Sequence, residues 1–115
     1  MANICSNWIE INGEEKEVKR FKEFVGKEFD FNKIIPLKSD SSGEAQKKWG
    51  CKSIAFDVIC EEEDEDYCIW EFWTKWNPPT LIYKKLIEIF PDIHLVWKYD
   101  EQCCNLSGYL NTDSQ

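Results

Sequence analysis

Cysteine and histidine are the side chains of this sequence that could ligate a transition metal or act as nucleophiles. Zinc sites use such ligands at close spacing, usually in two pairs. The sequence has no C-x-x-C pair, and its one histidine, His94, alternates with the apolar Ile93 and Leu95. We therefore expect no metal and no cofactor, and we expect reduced thiols that pack as small apolar groups. The cysteines are Cys5, Cys51, Cys60, Cys68, Cys103 and Cys104.

Motifs that would carry catalysis are missing. The sequence has no G-x-S-x-G, no glycine-rich phosphate loop and no H-E-x-x-H, and no cysteine stands in a pattern that pairs it with His94. We therefore predict that the protein is not an enzyme and has no catalytic or cofactor-binding residues.

The run EEEDED, residues 61–66, is the main charge feature. It carries six negative charges of a chain whose formal net charge is −8. Two interpretations remain open. The run can be a solvated hairpin tip that discourages association between sheet edges. It can also steer a partner with a basic surface, because complementary charge speeds association. The candidate partner-binding acids are Glu61, Glu62, Glu63, Asp64, Glu65 and Asp66.

Three tryptophans at intervals of three occur in WEFWTKWNPP, residues 70–79. Aromatic and β-branched residues favour a strand, and the two prolines that follow cannot lie inside a helix. A strand places Trp70 and Trp76 on the face that we predict to be core. It places Trp73, between Glu71 and Lys75, on the other face, where it is a candidate partner contact.

An open sheet face with Trp8, Trp73 and Tyr109 could stack single-stranded RNA, as RNA-recognition domains do. The RNP-type phrase is missing, however, and a strongly negative protein repels phosphates. We therefore expect no direct nucleic-acid binding, and we keep a small RNA-binding domain as an alternative.

The elements that position these residues follow from apolar periodicity. Two helices are predicted, at 14–27 and 78–91. Strands are predicted at 3–12, 53–60, 67–76, 92–99 and 104–110. The order β-α-β-β-α-β with one added strand is the ferredoxin-like split β-α-β plan. It predicts an α+β fold, with an antiparallel sheet of four to five strands and two helices on one face.

Residues 1–115 should form a single domain. Within it we predict a loop at 37–50, an acidic hairpin tip at 61–66 and a loose tail at 111–115. No apolar run approaches the ~20 residues needed to cross a bilayer, and the first residues lack the pattern of a signal peptide. We therefore expect a cytoplasmic protein with no membrane partner.

Several phrases of the sequence recur together in one family. They are NICSN (3–7), FNKIIP (31–36), KWGCK (48–52), FWTKWNPP (72–79), IFP (89–91) and YDEQCCNLSGY (99–109). The chain thereby resembles the YubB-type ferredoxin-like family of phage, plasmid and other mobile-element proteins. The resemblance implies a ferredoxin-like fold and no settled activity. It makes Trp49 a candidate partner contact, although the aromatic that the family tends to carry after the WG-x-K phrase is Ser53 here.

The resemblance implies a phage or plasmid accessory protein, and the acidic run predicts that it acts by binding a protein of its bacterial host. The concrete hypothesis is an anti-CRISPR-like inhibitor of host defence, whose acids occupy the basic groove of a nucleic-acid-binding defence protein. The alternatives are the small RNA-binding domain and a structural or regulatory phage protein without an inhibitory role. The sequence leaves the oligomeric state open.

Overall fold

The computed structural model describes residues 4–38, 42–101 and 106–110. These residues contain five strands and four helices. The strands are β1 (Ile4–Asn12), β2 (Phe56–Glu63), β3 (Tyr67–Lys75), β4 (His94–Glu101) and β5 (Leu106–Tyr109). The helices are α1 (Glu15–Val25), α2 (Phe31–Ile34), α3 (Ser42–Trp49) and α4 (Thr80–Ile89). The predicted tail at 111–115 lies outside the described residues, as do Cys103 and Cys104.

The strands form one antiparallel sheet in the order β2-β3-β1-β4-β5. Strand β1 occupies the centre, and its Trp8 lies opposite Glu71 of β3 and Lys98 of β4. The added strand β5 continues the sheet beyond β4. This is the split β-α-β arrangement, so the predicted α+β fold class is confirmed.

The core lies between one face of the sheet and the helices α1 and α4. Alternate residues of β1 face it, including Ile9 and Ile11, which are both fully buried. Helix α1 contributes Val18, Phe21 and Val25, whose spacing gives one apolar stripe. The Trp97 ring meets the rings of Phe29 and Phe72 edge to face, a favourable arrangement for aromatic pairs. Among the described residues, no helix covers the other face of the sheet.

The segment 37–50, predicted as a loop, contains the eight-residue helix α3. Its polar composition hides the periodicity, but Ala45 and Trp49, four residues apart, form a buried stripe. The indole Nε1 of Trp49 donates a hydrogen bond to the carbonyl of Ile35 at 2.8 Å. Two buried anchors are therefore enough to hold a short helix that the sequence pattern does not reveal.

The predicted core face of β3 is wrong at Trp76. Trp70 is buried as expected, but β3 ends at Lys75 and Trp76 is 46% exposed. Its backbone has a φ of 74°, in the left-handed region that turns the chain away from the strand direction. The Nζ of Lys52 lies 4.9 Å from the centroid of its ring. The alternation therefore stops one residue before the third tryptophan.

Candidate functional site

The acidic run occupies the end of the β2–β3 hairpin. Strand β2 begins at Phe56, three residues later than predicted, and continues through Glu63. Three of the six acids therefore belong to an edge strand, and residues 64–66 connect it to β3. The N–H of Asp64 closes the connection by donating to the carbonyl of Tyr67 at 2.8 Å. All six acidic residues are exposed.

A seventh carboxylate joins them from the first turn of α1. Asn12, at the end of β1, lies opposite Tyr67, and the N–H of Gly13 donates to the carbonyl of Asp66 at 3.1 Å. This places Glu15 beside the run, and repulsion from the Glu65 carboxylate is the main cause that raises the pKa of Glu15. We call Glu15 and residues 61–66 together the acidic end.

One lysine partly compensates the acidic end. The Nζ of Lys22 lies 3.1 Å from the Oε2 of Glu63 and donates to the carbonyl of Asp64 at 2.8 Å. Within the described residues, this is the one salt bridge that reaches the acidic end. The remaining carboxylates repel one another, and the Glu62 carboxylate is the main cause that raises the pKa of the Tyr67 hydroxyl. The surface therefore favours the approach of additional positive charge.

Trp73 lies away from the acidic end. It is half-buried on the sheet face turned away from α1 and α4, opposite Ser6 and Phe56. Six residues along β3 separate it from Tyr67, which corresponds to about 20 Å of strand. The structure thus does not bring this predicted contact together with the acids.

The prediction that Trp49 contacts a partner is wrong. It is only 2% exposed, and its ring packs edge to face on Phe31 with centroids 5.3 Å apart. With its indole N–H bonded to Ile35, the side chain anchors α3 and presents no surface to a partner.

The sequence interpretation missed Glu15 and Lys22 as members of the site. The predicted topology contained the signal, because the central β1 must lie antiparallel to β3. The residues that follow β1 then meet those that precede β3, which places the start of α1 beside EEEDED. Acids separated by about fifty residues in sequence form one surface for this reason.

No metal-binding cluster is present among the described side chains: no group of three or more His, Cys, Asp or Glu could hold an ion there. His94 is exposed at the start of β4, opposite Asn12. Within the same residues, no helix has the length and apolar character needed to span a bilayer.

Known proteins share this architecture. The family model described as "Ferredoxin-like domain in Api92-like protein" matches residues 55–115. The crystal structure of a protein api92 from Yersinia pseudotuberculosis superposes with a TM-score of 0.79 at 9% sequence identity. The match covers 95% of this chain and 93% of that one, and at such low identity it shows the fold alone. Among curated proteins, no sequence matches the chain.

Proposed function

We propose that this chain, which belongs to the Api92-like family of ferredoxin-like domains, acts by binding another protein through its acidic end. The observation that carries the proposal is the convergence of Glu15 with Glu65 and its neighbours. Like charges held together in the folded state oppose folding. A hairpin that needed only to stay soluble would not require a further acid from α1. A basic partner would remove this repulsion on binding.

The partner that fits this surface has a concentrated positive charge. The acids lie at the end of the β2–β3 hairpin, where Glu15 joins them in one exposed surface of negative charge. Grooves with concentrated positive charge are typical of proteins that bind nucleic acid. We therefore propose a nucleic-acid-binding host protein as the partner, with the carboxylates in the place of phosphates.

The biological setting of the proposal is a phage or plasmid accessory protein in the cytoplasm of a bacterial host. The resemblance of phrases such as FWTKWNPP (72–79) to the YubB-type mobile-element family supports it. An inhibitor of host defence, similar in mode to an anti-CRISPR protein, combines this setting with an acidic surface that competes for a nucleic-acid groove.

The open face of the sheet gives some support to the RNA-binding alternative. Trp8 lies there opposite Lys98, and Lys98 lies opposite Tyr109, which is 63% exposed. Carboxylates interrupt this surface, because Glu71 also lies opposite Trp8. Phosphates would meet repulsion beside the rings, so we favour protein binding.

The test begins by isolating the partner from a bacterial host with the tagged protein and then measures association rates. A tip variant carries Glu61→Gln, Glu62→Gln and Glu65→Gln, which leave the contacts of Lys22 intact. A control variant carries Glu28→Gln, Glu88→Gln and Asp100→Asn, three exposed acids elsewhere with the same change in net charge. We expect the tip variant alone to associate about five- to ten-fold more slowly at low salt.

Salt dependence completes the test. At about 0.5 M salt the screening length is only about 4 Å, so the difference between the two variants should nearly vanish. Equal association rates for both variants at low salt would contradict the proposal. RNA that co-purifies with the protein, and is lost on Trp8→Ala or Tyr109→Ala, would favour the alternative.

A further inference from the structure

Two thiols meet on the helix-facing side of the β2–β3 hairpin. The Sγ atoms of Cys60 and Cys68 are 3.7 Å apart, which is van der Waals contact. Cys60 lies opposite Trp70, and Cys68 lies opposite Glu63, so the two cysteines are diagonal neighbours across the strands. The pairing of β2 with β3 shifts in register between Cys60 and Glu62. The hairpin thus places together two cysteines that the sequence separates by the whole acidic run.

The two thiols differ in access. Cys60 is exposed on the edge strand, whereas Cys68 is 1% exposed. Both line a surface pocket of about 310 Å³ between the hairpin and the end of α1, where Lys22 and Lys27 also contribute. A small reagent can therefore reach one sulfur, and the second sulfur lies directly behind it.

The buried cysteines of the core provide an internal comparison. Cys5 and Cys51 are both fully buried, and burial raises the pKa of each thiol to about 12. Neither is available to a reagent while the protein stays folded, because reactivity needs both access and the thiolate. Within the described residues, access distinguishes Cys60 from the other cysteines.

We propose that Cys60 and Cys68 form a dithiol site that reacts with small disulfides such as glutathione disulfide. The Cys60 thiolate attacks one sulfur of the reagent, whose S–S bond breaks and releases one glutathione thiol. The Cys68 thiolate then attacks the Cys60 sulfur of the mixed disulfide and releases the second glutathione. The two protein thiols lose two electrons and two protons, which the two glutathione thiols receive.

The environment of Cys68 supports this order of attack. Burial, and then the contact with the Cys60 thiol, raise the pKa of Cys68 to about 12. Conversion of Cys60 to a mixed disulfide removes the thiol contact, which is one cause of the raised pKa of Cys68. It also makes the Cys60 sulfur, which lies beside the Cys68 sulfur, electrophilic. Cys68 therefore acts as the resolving thiol and Cys60 as the entry point.

The experiment treats the reduced full-length protein with glutathione disulfide, quenches with acid, alkylates the remaining thiols and maps peptides by mass spectrometry. A protease that cleaves after glutamate cuts within residues 61–65 and separates the two cysteines, so that only a disulfide still joins their peptides. The same cleavage places Cys103 and Cys104 together on a peptide of their own, apart from the other cysteines. We expect the wild type to give the Cys60–Cys68 disulfide.

Three variants assign the roles. Cys68→Ser should accumulate the mixed disulfide at Cys60. In Cys60→Ser, the remaining Cys68 should react with glutathione disulfide at least about ten-fold more slowly than Cys60 does in the wild type. Cys51→Ser, a buried control, should react as the wild type does, and circular dichroism should show that all variants are folded. A wild type that retains as much mixed disulfide as Cys68→Ser, or a Cys60 no more reactive than Cys51, would overturn the proposal.

Discussion

Strands β1 and β3 are paired along their whole length, yet the polar side chains at one end are exposed and those towards the other end are buried and hydrogen-bonded. At one end lie seven exposed carboxylates, and in the described part of the chain only that of Glu63 forms a salt bridge, with Lys22. Towards the other end, Asn7 is fully buried and donates to the Oγ1 of Thr74 at 3.0 Å. Its own Oδ1 accepts from the indole of Trp97 at 3.0 Å.

The buried polar groups stabilise the fold, whereas the exposed carboxylates of the acidic end destabilise it. Thr74 continues the buried network by donating to the carbonyl of Asn77 at 2.8 Å, and every buried side-chain polar atom in the described residues has a partner. Such a network is specific because each missing partner leaves a desolvated group. The acidic end instead leaves like charges in water, where they weaken folding slightly and remain available to a partner.

The largest expected effect breaks the networked end. Trp97→Ala should lower the free energy of unfolding by about 3–5 kcal/mol, because a fully buried ring is lost and a cavity remains. Trp76→Ala is the matched control and should cost less than about 1 kcal/mol, since that ring is half exposed. Urea denaturation measures both. Similar costs for the two variants would contradict the placement of these tryptophans.

The buried amide is the next target. Asn7→Ala should cost about 1–3 kcal/mol, because the Trp97 indole and the Thr74 hydroxyl each lose a buried partner. Ser6→Ala, one residue earlier on the opposite face of β1, should be nearly neutral. Chemical denaturation at neutral pH compares them, and an equal cost for both would mean that the network contributes little.

A smaller effect of opposite sign is expected at the acidic end. The tip variant with Glu61→Gln, Glu62→Gln and Glu65→Gln should gain up to about 0.5 kcal/mol of stability at low salt, as repulsion falls. Thermal unfolding at low and high salt measures the gain, which should disappear at high salt. The control variant with Glu28→Gln, Glu88→Gln and Asp100→Asn should gain less. A loss of stability in the tip variant would show that these acids make structural contacts.

The smallest effect separates two carboxylates of α1 by pH. Glu65 raises the pKa of Glu15 above its ordinary value of 4.5, so the folded state binds this proton more tightly than the unfolded chain. Stability is therefore lost as the pH rises through the window just above 4.5. The hydrogen bond from Arg20 lowers the pKa of Glu17 instead, and its contribution is lost as the pH falls through that lowered value.

Glu15→Gln should remove the first dependence and Glu17→Gln the second. Unfolding free energies measured from about pH 3 to pH 7 distinguish them, since that range spans the usual titration of carboxyl groups. A pH profile that Glu15→Gln leaves unchanged would mean that Glu15 does not belong to the acidic end.

The sequence predicted the elements better than their ends. Alternation located the strands and apolar spacing located α1 and α4, because both depend on burial of one face. The exposure of Trp76 was not predictable, since a left-handed residue ends the alternation without a glycine to mark it. The burial of Trp49 was missed because α3 has only a narrow apolar stripe.

The candidate site was predictable only in its local part. EEEDED is contiguous and was found directly, whereas Glu15 joins it through the pairing of β1 with β3. The Cys60–Cys68 contact depends on an irregular register that alternation does not report. Contacts made through strand pairing can be predicted once the topology is known, whereas contacts made through a bulge can be found only in the three-dimensional structure.

The central position of β1 also determines the order in which the sheet can be completed during synthesis. Strand β1 pairs with β3 and β4, which follow it in the chain, so Cys5 cannot pair with Glu101 until the residues between them have been synthesised. Such non-local pairing is slow, because the entropy of closing long loops opposes it. The β2–β3 hairpin needs only local contacts and can form earlier. A nascent hairpin that carries six carboxylates at its end repels the hairpins of neighbouring chains while β1 is still without its partners.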